Sequence, residues 1–198
     1  MRKHSRRNNV NPSHFEVIPT FPDDGKNKYS VHAIIETPRN LRHKYALEPE
    51  YGIFKLKTII AEGLAWPYDY GFIPRTLGDD GDPLDVLFLS DEPTFAGCLV
   101  EARLLGSICL EKNGEENDRL LAAAVQVKGV AQTTDSYKEI DDVPQEMIES
   151  MTRFLVEYSS DADNKIVFKG VDSRKKALAS VKKGMRAYSR HRSKSKGK

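Results

Sequence analysis

Four aspartates within seven residues form the densest cluster of candidate metal ligands in the chain, in the segment Gly78-Asp79-Asp80-Gly81-Asp82-Pro83-Leu84-Asp85-Val86. Asp-Gly and Asp-Pro favour tight turns, so we expect a bent, rigid loop that brings Asp80, Asp82 and Asp85 within a few ångströms of each other. Carboxylates at that range repel strongly, which favours a cation between them. Ligands that are all oxygen select Mg²⁺, Mn²⁺ or Ca²⁺ over zinc.

Two other interpretations of this loop remain open at the level of its pattern. The first is a solvated acidic turn without a ligand. The second is an EF-hand, which fails because its sixth position, counted from Asp80, would be Asp85 rather than Gly. Its twelfth position would be Asp91 rather than Glu.

An aromatic segment, Trp66-Pro67-Tyr68-Asp69-Tyr70-Gly71-Phe72-Ile73-Pro74-Arg75-Thr76, lies just upstream of the acidic loop. It supplies tyrosine hydroxyls and one arginine, groups that bind anionic ligands. The alternative is a plain aromatic corner of the core. The pattern alone does not decide between them.

Short strands with turns between them must position these groups. Five segments have apolar runs or alternation that predict strands, and Gly106 predicts a bulge in the fourth. The segments are Val31–Glu36, Tyr51–Lys57, Leu84–Leu89, Leu99–Leu110 and Leu120–Val130. Strands of this number and length favour a small antiparallel barrel.

Two helices are predicted after the strands. Apolar residues recur at helical spacing from Met147 to Tyr158, after Pro144, and again from Ala177 to Tyr188. Strands first and helices last is an α+β order. We expect a disordered basic arm over residues 1–14, one domain over residues 15–188, and a mobile basic tail over residues 189–198.

The composition excludes some functional classes. Lys and Arg number 31 against 29 Asp and Glu, but the bases cluster at the two ends, which leaves an acidic body. That charge suits divalent cations better than nucleic acid, so we do not expect nucleic acid as a partner. No apolar run is long enough to span a membrane, no secretory signal is recognisable, and the two cysteines fit a reducing compartment. These features predict a cytoplasmic protein.

The segment Tyr70–Pro74 followed by Asp80–Val86 resembles soluble family I inorganic pyrophosphatases. Shorter matches occur in order at Ala33–Pro38, Lys44-Tyr45, Phe54–Lys57 and Glu157-Tyr158, so the resemblance covers residues 30–180. It implies an α+β fold with a small five-stranded antiparallel, OB-like β-barrel and flanking C-terminal helices. It also implies hydrolysis of pyrophosphate with Mg²⁺, or Mn²⁺, as cofactor, and a homo-oligomer that is a hexamer or a dimer.

Site roles follow from the same resemblance. Asp80 and Asp85 are expected to hold the metals that bind the attacking water, with Asp82 as the catalytic general base. Further metal ligands are expected at Glu36 and in the turn 111–118. Phosphate oxygens are expected to be bound by a set of basic and tyrosine side chains: Lys44, Lys57, Tyr70, Arg119 and Tyr158.

The turn 111–118 should supply two metal-binding acids, and its register is ambiguous by one residue. Glu111 is the candidate for the first acid, and Glu116 or Asp118 for the second. A polar hairpin tip without ligands is the alternative. A Glu in place of an Asp would move a metal by about one methylene, enough to slow chemistry.

The chain departs from the family pattern on the phosphate-binding side. The differences are Ala46 for an acid, Lys57 for Arg, Trp66 for Tyr, Arg119 for Lys and Ser159 for Lys. Three hypotheses result: an active pyrophosphatase, a catalytically impaired relative that still binds metal or phosphate, and a nucleic-acid-binding barrel with basic ends. The first is preferred, because the acidic loop itself matches the family throughout.

Overall fold

The computed structural model describes residues 14–22, 28–125, 131–159 and 165–196. The predicted arm therefore lies outside the described residues, apart from His14. The strands in the described part are β1 Ser30–Thr37, β2 His43–Glu48, β3 Ile53–Ile59, β4 Asp69–Phe72, β5 Asp85–Leu89, β6 Leu99–Lys112, β7 Glu115–Glu116, β8 Arg119–Ala124 and β9 Ile166–Ser173. The helices are α1 Gln145–Ser159 and α2 Arg174–Lys196, with short 3₁₀ turns at His14–Val17, Thr133–Ser136 and Ile140–Asp142.

Five strands close into a ring in the order β1, β4, β5, β8, β6 and back to β1. β7 and β9 both pair with β6, while β2 and β3 form a separate hairpin. This architecture confirms the predicted fold class. The ring is mixed rather than purely antiparallel, because β5 and β8 run parallel with Val86 opposite Leu120.

The membership of the ring differs from the sequence prediction at one strand. The segment predicted as a strand at Tyr51–Lys57 forms β3, which lies in the separate hairpin. β4 takes its place between β1 and β5. Because Gly71 has no Cβ, β4 can approach the carbonyl oxygen of Ile34, which would lie only 2.0 Å from a Cβ at Gly71.

The strands of the ring bury side chains on both faces. Along β5, Leu87 and Leu89 pack in one apolar cluster, whereas Val86 and Phe88 pack in another. This alternation is the two-residue period of a strand. Helix α1 completes the first cluster and α2 completes the second.

Helix α2 is longer than its apolar stripe. Ala177 and Val181 are fully buried against the ring, and the helix continues to Lys196. The helix thus includes residues 189–196, which the sequence analysis assigns to a mobile basic tail, and the mobility of this tail stays a prediction. Lys and Arg have good helix propensity, and the hydroxyls of Ser189 and Ser193 donate to the carbonyls of Met185 and Ser189, each one turn earlier, at 2.9 Å.

Two expectations about small features can be compared with the structure. Cys98 and Cys109 are half-buried thiols that do not form a disulfide. Gly106 lies at a register shift between β6 and β8, as the predicted bulge requires. Neither α1 nor α2, in the described ranges of the chain, has the length and hydropathy needed to cross a lipid bilayer.

Candidate active site

The acidic loop closes on itself through its backbone. The Gly78 N–H donates to the Asp82 carbonyl at 2.7 Å, and the Asp82 N–H donates to Asp80 Oδ1 at 3.1 Å. Gly81 has φ +90°, a conformation that favours glycine. The loop is thus the tight, bent turn that its sequence predicts.

Helix α2 supports the base of this loop. The Leu77 N–H donates to the Gly184 carbonyl at 3.1 Å. A Cβ at Gly184 would lie 2.9 Å from Leu84 Cδ1 and 3.2 Å from Thr76 Cβ, so the helix packs closely there. The loop therefore rests on a rigid element, which favours a fixed geometry for its carboxylates.

The parallel pairing of β5 and β8 places two opposite charges side by side. Because Val86 lies opposite Leu120, the preceding residues Asp85 and Arg119 share one rim of the ring. Arg119 Nη1 lies 3.2 Å from Asp85 Oδ2, and the arginine side chain is only 15% exposed. The buried Tyr70 hydroxyl interacts with both side chains, and burial raises the pKa of Tyr70 well above its ordinary value.

Glu36 joins the ring to the β2–β3 hairpin. Its Oε1 accepts a hydrogen bond of 2.8 Å from the Leu47 N–H of β2. Burial, with the charges of Asp85 and Asp82, raises the pKa of Glu36 to about 7 against the opposing effects of the Leu47 N–H and Lys44. The hairpin brings Lys44 and Lys57 to the site, where Lys57 lies 3.7 Å from Glu48.

Three aromatic rings surround the ammonium of Lys44. Its Nζ lies 6.0 Å from the ring centroid of Trp66, 5.6 Å from that of Tyr70 and 5.3 Å from that of Tyr158. Phe154 of α1 packs against Trp66 at 5.1 Å. This aromatic cage holds Lys44 by cation–π attraction and fixes the position of its charge.

A cavity of about 690 Å³ lies between the acidic loop, the β2–β3 hairpin and α1. Nine of the predicted site residues line it: Glu36, Lys44, Lys57, Tyr70, Asp80, Asp82, Asp85, Arg119 and Tyr158. Partial burial and then the charges of Asp80 and Asp85 raise the pKa of Asp82. The three loop carboxylates are therefore close enough to repel one another, as the sequence predicts.

Three predicted metal ligands do not line this cavity. Glu111 forms an ion pair with Lys169 of β9 at 3.2 Å. Glu116 and Asp118 line a smaller cavity of about 110 Å³, between the acidic loop and α2. The Asp118 carboxylate accepts a hydrogen bond of 3.1 Å from the Leu110 N–H, so it also holds the hairpin turn together.

Lys112 and Asn117 are among the lining residues that were not predicted from the sequence. Lys112 and Asn117 occupy the cavity wall at the 111–118 hairpin, where acids were expected. The alternation of side chains along a strand explains the position of Lys112. Because Glu111 pairs with Lys169 on one face of the sheet, Lys112 lies on the opposite face. Among the departures from the family pattern, Ala46 and Trp66 also line the cavity, and the Trp66 indole N–H has no hydrogen-bond partner in the described residues.

A comparison with models of protein families matches residues 33–189 to the inorganic pyrophosphatase family. The chain belongs to this family. The predicted enzyme class, an inorganic diphosphatase, is thereby confirmed.

Individual inorganic pyrophosphatases agree over most of the chain. The enzyme of Geobacillus stearothermophilus is 34% identical over 128 residues, which are 65% of this chain and 75% of that protein. The enzyme of Haloferax volcanii is 29% identical over 174 residues, which are 87% of this chain and 93% of that protein. The crystal structure of the Thermus thermophilus enzyme superposes with a TM-score of 0.79 at 29% identity, covering 88% of this chain and 98% of that one.

The acidic loop has the donor chemistry that a hard divalent cation requires in an inorganic pyrophosphatase. Asp80, Asp82 and Asp85 offer oxygen donors only, and burial, followed by the charges of Asp80 and Asp85, raises the pKa of Asp82. In residues 14–22, 28–125, 131–159 and 165–196, no three acid, His or Cys side chains already surround a cation position. The acidic loop nevertheless fits Mg²⁺ in its negative charge and in its oxygen donors.

Proposed function

We propose that this chain hydrolyses inorganic pyrophosphate to two orthophosphates with Mg²⁺ as cofactor. The observation that carries the proposal is that acidic and basic side chains line the same cavity. Asp80, Asp82 and Asp85 line the cavity together with basic side chains suited to phosphate oxygens: Lys44, Lys57 and Arg119. Family membership supports pyrophosphate as the substrate.

In this proposal the loop aspartates divide the work. Asp80 and Asp85 hold Mg²⁺, which when bound lowers the pKa of water so that hydroxide is available near neutral pH. Asp82 accepts the proton of the attacking water. Asp82 lines the same cavity as Asp80 and Asp85, as a general base for a water held there must.

Basic side chains of the cavity neutralise the charge of the departing phosphate. Lys44, fixed in the aromatic cage, and Arg119, fixed by Asp85 and Tyr70, present charges that do not need to reorganise. Tyr70, Tyr158 and Lys57 add donors to the remaining phosphate oxygens. Glu36 also lines the cavity, and we assign it to a further metal ion.

Release of orthophosphate from pyrophosphate tests this proposal directly. We expect turnover with Mg²⁺, measurable turnover with Mn²⁺ in its place, and none in excess EDTA. The catalytically impaired relative would still bind metal but would release no phosphate. That outcome would overturn the proposed activity.

Replacing Asp85 by Asn should weaken Mg²⁺ binding about ten-fold or more, because a carboxylate ligand becomes a neutral amide of the same shape. Asn is preferable to Ala because it leaves a partner for the largely buried Arg119. The fluorescence of Trp66, the single tryptophan, can follow a Mg²⁺ titration because this residue lines the cavity.

The matched control for this titration is Asp79→Asn. Asp79 lies in the same loop, but it pairs with Lys183 at 2.8 Å and is 80% exposed. We expect its Mg²⁺ titration to match that of the unaltered protein. An unchanged titration in Asp85→Asn would remove Asp85 from the metal site.

The remaining expectations from the resemblance stay predictions. They include homo-oligomeric assembly, a cytoplasmic location and the domain limits at residues 15–188. Deletion of residues 189–198 should abolish nucleic-acid binding if the nucleic-acid-binding hypothesis holds, and should leave hydrolysis intact if the proposed function holds.

A further inference from the structure

The hairpin between β6 and β8 places a lysine in the cavity wall. The backbone alternates along β6, so Leu110 and Lys112 share one face and Glu111 takes the other. Leu110 packs in the apolar cluster that contains Trp66 and Tyr70, which themselves line the cavity. Glu111 pairs with Lys169 of β9 instead. The register therefore independently directs Lys112 toward the cavity.

The neighbours of Lys112 leave its charge available. Its cross-strand partner in the β6–β7 hairpin is Glu115, which does not line the cavity. In the described residues, no carboxylate lies within ion-pair distance of Lys112, whereas Arg119 on the same wall is paired with Asp85. A cation without a partner in an anion-binding cavity is available for ligand phosphate.

The hairpin itself is held in place. The Asn117 N–H donates to the Leu110 carbonyl at 2.8 Å, and the Asn117 carbonyl accepts from Arg119 Nη1 at 2.9 Å. These bonds fix Asn117 between Lys112 and Arg119 on the wall. The wall thus presents an ammonium, an amide and a guanidinium to the cavity, and no carboxylate from the hairpin.

We propose that Lys112 binds a phosphate group of the ligand. Its ammonium neutralises phosphate charge at the place where a metal ion held by acids of the turn 111–118 would otherwise be needed. The inference rests on the proposed function, because it takes pyrophosphate as the ligand. It predicts that the protein retains affinity for pyrophosphate when no divalent cation is present.

Calorimetric titration with pyrophosphate in EDTA tests this inference apart from hydrolysis. We expect measurable binding by the unaltered protein. Lys112→Gln should weaken that binding about ten-fold, the effect of losing one charge-assisted hydrogen bond. Lys112→Arg, which keeps the charge, should restore most of it.

Lys169→Gln is the matched control, because it removes a lysine charge from the outer face of the same sheet. We expect it to bind pyrophosphate as the unaltered protein does. Absence of binding in EDTA by the unaltered protein, or equal binding by Lys112→Gln and Lys169→Gln, would overturn the inference. Phosphate release with Mg²⁺ is measured separately. If no phosphate were released, the proposed activity would be overturned, while the binding role of Lys112 would still be decided by the titration in EDTA.

Discussion

Asp82→Asn is expected to lower kcat by roughly 10²–10⁴-fold, the usual contribution of a general base. The substitution keeps the side-chain shape but removes the group that accepts the proton of water. The loop should keep its conformation, because the Asp82 backbone makes the contacts that close it: its carbonyl accepts from Gly78 and its N–H donates to Asp80.

Steady-state phosphate release gives the size of this effect, and circular dichroism shows whether the fold is kept. Asp79→Asn serves again as the control. It removes a carboxylate from the same loop, but this carboxylate pairs with Lys183 and does not line the larger cavity. We expect that control to stay within about two-fold of the unaltered kcat, as a surface substitution should. Near-normal turnover in Asp82→Asn would remove the base role from this residue.

Gly71→Ala is expected to cause the largest loss of stability, more than about 4 kcal/mol. The added Cβ would lie 2.0 Å from the Ile34 carbonyl oxygen and 2.9 Å from Ile35 Cα. Both atoms belong to the backbone of β1, so no side-chain rotation relieves the overlap. β4 would have to separate from β1 and open the ring. Because small proteins have a total stability of about 5–15 kcal/mol, much of the variant would be unfolded.

Urea denaturation followed by circular dichroism measures this loss. Gly114→Ala separates steric overlap from the loss of glycine's freedom: Gly114 has φ +89°, yet a Cβ there meets nothing within 4 Å. We expect that variant to lose only about 1–2 kcal/mol, the cost of a left-handed conformation. Equal denaturation midpoints for the two variants would contradict the close packing of β4 on β1.

Local patterns explain which parts of the fold could be predicted. The apolar stripe from Met147 to Tyr158 predicts α1, and alternation in residues 99–110 predicts most of β6. β4 was missed because it is four residues long and contains a glycine, features that suggest a turn. β9 was missed because most of its side chains are at least partly exposed, so no apolar pattern marks it. The closure of the ring depends on pairings between distant residues, which no local pattern records.

The site divides in the same way. The acidic loop could be located because its geometry is set by its own residues, and the structure places Asp80, Asp82 and Asp85 on one cavity. The roles of the side chains in the turn 111–118 could not be predicted, because those of Glu111 and Lys112 depend on the face of the sheet that each side chain occupies. That face follows from pairing with β7 and β9. Of the acids in this segment, Glu116 and Asp118 line the smaller cavity together with Asp80 and Asp85, so their roles as metal ligands stay predictions.

The parallel pairing of β5 with β8 has a consequence for folding. Asp85 and Arg119 are distant in sequence and meet only because the two strands start at the same rim. Contacts of this kind form late and slowly, since a long intervening segment must first be ordered. A chain in which β5 and β8 are not yet paired cannot bring Asp85 and Arg119 together in the proposed site. Enzymatic activity and cooperative closure of the sheet should consequently be gained and lost together.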